Sequence, residues 1–210
     1  MVEGKIFSLA EDNAWIDKCT MSGKLFNDII VFSLAPNTRI SPETYFQEKI
    51  WLVLKGEASA GVRNKEIKIR TGELFIVEKD VPVSIETNTG AVYLEMEMKE
   101  EYRMNDILKA GEVFALKDLL PVQPGKIVNM DLVSDEAMHM ALMSFDAGTG
   151  LSEHAAPAQA VVFALEGEAV ITYEGVAHTI KAGENFVFAK NGKHAVEAKT
   201  PFKMALLLIK

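Results

Sequence analysis

Two histidines in the second half of the chain are the residues whose type and spacing could support chemistry. His154 follows Gly148 by six positions, and His194 follows Gly183 by eleven. A neutral imidazole can bind a transition metal, and an imidazole can also exchange a proton near neutral pH. The pair therefore indicates a small-molecule pocket, a metal site, or a metal-free enzyme in which His194 acts as a general base.

These histidines lie in the second copy of an internal repeat. A shift of 111 residues aligns Leu54-Lys-Gly-Glu-Ala with Leu165-Glu-Gly-Glu-Ala, and Gly72-Glu-Leu-Phe with Gly183-Glu-Asn-Phe, without a gap. A shorter match, between the segments that start at Gly4 and Gly111, occurs at a shift of 107. Repetition on this scale predicts a tandem duplication. We place the N-terminal domain at residues 1–103 and the C-terminal domain at residues 104–210.

Short apolar segments must position these residues in each copy. In the first copy they include residues 50–54, 58–62 and 74–77, and turn residues separate them at intervals of about 8–12 positions. This spacing and the high content of Val, Ile, Phe and Tyr predict an all-β fold with antiparallel strands in a sandwich or barrel. Gly56 and Gly167 each lie between two apolar segments, where a tight turn would require a positive φ.

The second copy resembles the cupin superfamily, which has two sequence motifs. The first reads Gly, five residues, His-x-His, three or four residues, Glu, six residues, Gly. The second reads Gly, five residues, Pro-x-Gly, two residues, His. The segments around His154 and His194 match that spacing, and the chain is also similar to small single-barrel cupins that carry His-x-x-Pro. The resemblance implies two tandem antiparallel jelly-roll barrels. It also implies one metal site per complete barrel, formed by three histidines and a glutamate that converge on the inner face.

The second copy keeps only part of the ligand set that the resemblance implies. His154 and His194 are present, whereas the second histidine position is Ala156 and the glutamate position is Ala160. A divalent iron, manganese, zinc or nickel ion in this C-terminal barrel would need water, substrate or another side chain as further ligands. Gln159 is a nearby substitute and a candidate ligand-binding residue.

The first copy departs further, because its equivalent positions are Glu43, Tyr45, Lys49 and Val83. We expect no metal of the usual kind in the N-terminal barrel. Glu43 and Lys49 could form an ion pair there, because an unpaired buried charge is costly. Two alternatives remain open: Lys49 binds an acidic ligand beside Tyr45, or Glu43 is simply exposed at the surface.

Two functions follow from these positions. In the first, the protein is a small-molecule-binding or sensing barrel with its pocket in the C-terminal copy, where Ala156 and Ala160 leave room beside His154 and His194. The alternative is a weak-metal enzyme, dioxygenase-like or isomerase-like, that uses the two histidines. The binding or sensing barrel does not depend on the metal-ligating side chains that are missing at these positions. Metal analysis combined with His154→Ala would separate the two.

Composition excludes several partners. The 22 basic and 30 acidic residues give a net charge of −8 without a cluster of Lys or Arg, which argues against a nucleic-acid partner. No apolar segment has the length of a membrane span, so we expect no membrane role. The single Cys19 cannot form an internal disulfide, and the first residues lack a signal-peptide pattern, which predicts a cytoplasmic protein. Exposed strand edges would also allow a homodimer.

Overall fold

The computed structural model describes residues 3–26 and 29–210, and its regular structure is almost entirely β-strand. The helical segments among these residues are α1 (Leu9–Asp12) and a 3-10 turn at Leu116–Asp118. In chain order the strands are β1 (Ile6–Phe7), β2 (Thr20–Phe26), β3 (Ile29–Leu34), β4 (Thr38–Glu43), β5 (Lys49–Val62), β6 (Lys65–Arg70), β7 (Glu73–Val77), β8 (Val83–Thr87), β9 (Ala91–Glu97), β10 (Arg103–Met104), β11 (Val113–Ala115), β12 (Ile127–Ser134), β13 (Met138–Phe145), β14 (Gly150–Ala155), β15 (Gln159–Glu166), β16 (Glu168–Tyr173), β17 (Val176–Lys181), β18 (Asn185–Phe188), β19 (Lys193–Ala198) and β20 (Phe202–Ile209). The predicted all-β fold is confirmed.

The chain forms two compact units. The N-terminal barrel comprises the described residues of 10–102 and 106–115, and the C-terminal barrel comprises those of 1–9, 103–105 and 116–210. The boundary expected after residue 103 therefore separates most of one barrel from most of the other. Three short segments belong to the opposite barrel: the described residues of 1–9, residue 103, and residues 106–115. The physical reason is strand pairing, which places β1 and β10 in the C-terminal barrel and β11 in the N-terminal barrel.

In the N-terminal barrel one long strand links two antiparallel sheets. The first sheet has the order β11-β7-β5-β9-β3-β2, and β5 continues into a second layer where it pairs with β6 and β8, while β8 pairs with β4. The register shifts between Val53 and Lys55, and Gly56 follows with a φ of 81°. A Cβ at Gly56 would overlap with the carbonyl oxygen of Gly90. The predicted positive φ at Gly56 is confirmed, but it occurs within the continuous strand β5 and not in a tight turn between two strands.

The C-terminal barrel repeats this arrangement. Its sheets have the orders β1-β18-β15-β20-β13-β12-β10 and β14-β19-β16-β17. The shift of 111 residues maps β6 onto β17 at both ends, and β9 falls on β20 in the same way to within one residue. β15 and β16 correspond to the two halves of β5, with Gly167 between them at a φ of 77°. The duplication inferred from the sequence is therefore visible strand by strand.

The two leading strands of the repeats are exchanged between the barrels. β1 pairs with β18 through Ile6 and Phe186, and β11 pairs with β7 through Val113 and Phe75. Ile6 and Val113 are equivalent at the shift of 107, and Phe75 and Phe186 are equivalent at the shift of 111. Each barrel therefore completes the same sheet edge with the leading strand of the other repeat.

Aromatic side chains fill the interior of each barrel because alternate strand residues point inward. In the N-terminal barrel Trp51, Phe75 and Tyr93 are buried at about 1% exposure. In the C-terminal barrel the interior cluster includes the buried rings of Phe145, Phe186, Phe188 and Phe202. Each such side chain contributes roughly 1.5–3 kcal/mol through burial. No helix among the described residues has the length and apolarity of a membrane span.

Candidate functional site

His154 and His194 lie side by side in the C-terminal barrel. They are direct cross-strand partners on β14 and β19, and their ring centroids are 4.2 Å apart. His154 is exposed, whereas His194 is buried at 6% exposure. The motif spacing therefore identified two side chains that the sheet register brings together. Their role as ligands stays a prediction.

Both imidazoles have one ring nitrogen bound to a backbone carbonyl. Nδ1 of His154 lies 2.9 Å from the carbonyl oxygen of Ser152, and Nδ1 of His194 lies 3.0 Å from that of Gly192. A carbonyl oxygen only accepts hydrogen bonds, so each Nδ1 carries a proton, and in the neutral form of each ring Nε2 presents its lone pair. Burial lowers the pKa of His194, and the charge of a protonated His154 would lower it further. His194 is therefore neutral near neutral pH.

The donors around these rings do not fit a complete metal centre. The equivalent positions Ala156 and Ala160 are buried and have no donor atom. The side-chain amide of Gln159 donates instead to the carboxylate of Glu3, at 3.0 Å. Within residues 3–26 and 29–210, no group of three or more His, Cys, Asp or Glu side chains is placed to hold a metal ion. The protein supplies two imidazoles, and a metal held there would need ligands from outside the protein.

Phe188 occupies the space expected beside the histidines. Its ring stacks on His194 with centroids 3.8 Å apart and an interplanar angle of 17°. Phe188 is also the direct cross-strand partner of Ala160. In the N-terminal barrel the equivalent pair is Val77 opposite Lys49. In the N-terminal barrel the larger residue of this pair is on β5, whereas in the C-terminal barrel it is on β18. The ring of Phe188 therefore takes the room that Ala160 leaves.

The N-terminal barrel contains a buried charge cluster around Lys49, which is equivalent to the glutamate ligand position that the cupin resemblance implies. Lys49 Nζ lies 2.6 Å from Glu95 Oε1, and the Trp51 indole donates to Glu95 Oε2 at 2.9 Å. Lys49 and Glu95 are exposed by only 8% and 6%. A second carboxylate, that of the half-exposed Glu97, lies 3.5 Å from Lys49 Nζ. The Lys49 charge is therefore matched within the barrel.

The expected ion pair between Glu43 and Lys49 is wrong in its acidic partner. Glu43 is exposed and accepts a hydrogen bond of 2.8 Å from the Tyr45 hydroxyl, while Lys49 pairs with Glu95. Lys49 also lies 3.9 Å from the centroid of the Tyr45 ring. Burial, together with the carboxylates of Glu95 and Glu43, raises the pKa of Tyr45, so its hydroxyl remains a neutral donor. Of the alternatives left open by the sequence, surface exposure of Glu43 is what the structure shows.

A largely enclosed cavity of about 90 Å³ lies beside this cluster. Its lining combines aromatic rings, aliphatic side chains and two carboxylates, contributed by Phe32, Ile40, Glu43, Tyr45, Trp51, Val83, Ile85, Tyr93 and Glu95. The rings form a contiguous wall, because Phe32 stacks on Tyr93 at 5.0 Å and Trp51 packs against Tyr93 at 5.7 Å. Burial raises the pKa of Tyr93 well above its usual range, which keeps that hydroxyl neutral as well.

Sequence reasoning identified Tyr45 and Lys49 but missed Glu95 and the ring wall. The available signal was an acidic residue inside the apolar segment Ala91–Met98, since a charge within a buried strand needs a partner. The partner could not be chosen without the register of β5 and β9, in which Trp51 is opposite Glu95 and Lys49 is opposite Glu97. Lys49 reaches Glu95 diagonally across that pair.

Comparison with known proteins identifies the barrels. A family profile described as "Cupin domain" matches residues 141–210. The structure of a cupin 2 conserved barrel domain protein from Leptotrichia buccalis is similar along 100% of this chain and 98% of its own, with a TM-score of 0.86 and 28% identity. No curated protein gives a significant match.

More distant structures share the fold. A salicylate 1,2-dioxygenase from Pseudaminobacter salicylatoxidans covers 87% of this chain and 71% of its own, with a TM-score of 0.62 and 12% identity. A putative glyoxylate-induced protein from Pseudomonas aeruginosa covers 91% and 78%, with a TM-score of 0.62 and 15% identity. A cupin domain is therefore matched over residues 141–210, and the whole chain has the fold of a conserved-barrel cupin structure.

Proposed function

We propose that this cupin is a small-molecule-binding barrel whose ligand site is the cavity of the N-terminal barrel. The observation that carries the proposal is the convergence of four aromatic side chains and two carboxylates on one largely enclosed space. A concave, mostly apolar site with a few polar groups is typical of ligand pockets. This location differs from the C-terminal pocket expected from the sequence, where Phe188 packs opposite Ala160 and stacks on His194.

The cavity limits the size of the ligand group that it can enclose. A volume of about 90 Å³ corresponds to roughly three water molecules in the liquid. Trp51 and Tyr93 form its buried end, and the exposed Glu43 marks its mouth. A compact head group would therefore fill the cavity, while the remainder of a larger ligand would extend past Glu43.

Filling the cavity should abolish ligand binding. Ile40→Phe adds a ring to a half-buried lining position, and we expect binding of any cavity-directed compound to weaken by at least about tenfold, equivalent to ~1.4 kcal/mol. The measurement is a ligand-observed NMR screen of small fragments, followed by titration of each hit against both proteins. Ile67→Phe is the matched control, because Ile67 packs against the same core but does not line the cavity.

Two outcomes of this screen would count against the proposal. Hits that bind Ile40→Phe as tightly as the unchanged protein would occupy another site. A screen without hits, on protein whose folding is verified by circular dichroism, would remove small-molecule binding as the function.

The weak-metal enzyme remains the second candidate. The observation that favours it is the adjacent pair of Nε2 lone pairs on His154 and His194, each fixed by the carbonyl contact of its Nδ1. We expect a metal-supplemented preparation to carry less than one bound metal per chain after dialysis, because two protein ligands hold a metal weakly. Elemental analysis of the protein and of His154→Ala tests this. Stoichiometric metal that disappears in the variant would instead favour the enzyme.

A further inference from the structure

We propose that the ligand enclosed by the N-terminal cavity is a small organic ammonium ion. This inference rests on the proposed binding function and adds the chemical class of the ligand. Three properties of the cavity carry it: the sign of the charges on its lining, the aromatic wall, and the manner in which the barrel already holds the ammonium group of Lys49.

The charges on the lining are negative. Glu43 and Glu95 contribute carboxylates, and none of the nine described residues that line the cavity is Lys, Arg or His. Lys49 lies outside this lining set, and its Nζ is held by Glu95 at 2.6 Å and by Glu97 at 3.5 Å. The acidic ligand of the alternative hypothesis, bound by Lys49 beside Tyr45, would thus meet two carboxylates and no unpaired cation among the nine lining residues. A cationic ligand would instead face two carboxylates, whose negative charge attracts it.

The aromatic wall adds a second attraction for a cation. Phe32, Tyr45, Trp51 and Tyr93 contribute rings to one cavity, and the latter two are almost fully buried. The faces of such rings are electron-rich and attract alkylated ammonium groups, most strongly when water is excluded. Because the burial that raises the pKa of Tyr45 and Tyr93 keeps both phenols neutral, their rings interact through this π attraction. A methylated ammonium group combines a positive charge with the apolar surface that such a wall prefers.

Lys49 shows that the barrel stabilises an ammonium group with these side chains. Its Nζ lies 3.9 Å from the Tyr45 ring centroid while it contacts the Glu95 carboxylate. The same ring and the same carboxylate also face the cavity. A ligand ammonium inside the cavity would therefore be lined by the same aromatic ring and the same carboxylate that already contact Lys49.

The experiment compares two probes of equal shape and different charge. Choline and its neutral isostere 3,3-dimethylbutan-1-ol are titrated into the full-length protein by isothermal titration calorimetry, with propionate as the anionic probe. We expect choline to bind at least about tenfold more tightly than the alcohol, since desolvated cation–π contacts and a facing carboxylate both favour charge. Propionate should show no binding.

A substitution that removes the charge of Glu43 at the mouth of the cavity tests whether choline binds there. Glu43→Gln keeps the shape and the hydrogen-bond acceptor for Tyr45, so we expect choline to bind several-fold more weakly and the neutral alcohol to bind as before. Glu86→Gln is the matched control, because Glu86 is an exposed glutamate on β8 that does not line the cavity. Its choline affinity should equal that of the unchanged protein.

The outcomes separate this inference from the function on which it rests. Equal affinity for choline and the alcohol, or tighter binding of propionate, would overturn the ammonium proposal while the cavity would remain a small-molecule site. Choline binding that survives both Glu43→Gln and Ile40→Phe would place the ammonium site elsewhere and would also overturn the inference. Absence of binding by all three probes and by every compound of the fragment screen would overturn both proposals.

Discussion

Replacing Lys49 with methionine is expected to destabilise the protein by about 3–5 kcal/mol, because a buried carboxylate would lose its counter-charge. Glu95 is only 6% exposed, and after the substitution its remaining polar contact among the described residues would be the indole of Trp51. Methionine has nearly the volume of the lysine stem, so packing changes little. Urea-induced unfolding followed by Trp fluorescence and circular dichroism measures the loss.

A double variant separates the charge effect from a packing effect. In Lys49→Met/Glu95→Gln the second change removes the orphaned charge and keeps an oxygen that can accept from Trp51, so we expect most of the lost stability to return. Lys55→Met is the control for loss of a lysine, since Lys55 pairs with Glu11 in a partly exposed bridge, and exposed bridges are worth about 0–1 kcal/mol. A double variant as unstable as Lys49→Met would contradict this account and assign the loss to packing.

Replacing Gly167 with alanine is expected to cost about 3–5 kcal/mol and to lower the yield of folded protein, for a reason independent of charge. Gly167 has a φ of 77°, and a Cβ there would overlap with the carbonyl oxygen of Pro201. That oxygen belongs to the backbone, so neither chain segment can yield without breaking the turn between β15 and β16. Differential scanning calorimetry measures the expected fall in the melting temperature.

Gly175 supplies a matched control within the same barrel. Its φ of 81° is almost the same as that of Gly167, but a Cβ at Gly175 would meet no atom within 4 Å. Gly175→Ala should therefore cost only the backbone term of about 1–2 kcal/mol. Equal losses for the two alanine variants would show that the positive φ alone is responsible and that the overlap with Pro201 is relieved.

The fold was predictable because the sequence contains two copies of the same pattern of strands and turns. The glycines at positions 56 and 167 recur in the two copies because both barrels bend the chain at the same point, where side-chain atoms do not fit. The meeting of His154 and His194 was implied by the cupin resemblance, and it is the register between β14 and β19 that makes them direct cross-strand partners.

The cavity of the N-terminal barrel was not predictable from the same signals. Its lining comes mainly from β3, β4, β5, β8 and β9, so the cavity depends on how five strands pack against one another. Motif positions do not reveal which barrel keeps a cavity, because close packing is decided by neighbours that are distant in sequence. The Lys49–Glu95 pair spans 46 residues for the same reason.

The exchange of β1 and β11 has a consequence for the ancestry of this chain. A solitary ancestral repeat would possess one leading strand and one unsatisfied sheet edge, so two identical copies could complete each other by reciprocal domain swapping. Gene fusion of such a pair would preserve the swap inside a single polypeptide. Once fused, either half could change its interior residues while the other half still held its leading strand, so the two interiors could diverge without loss of the scaffold.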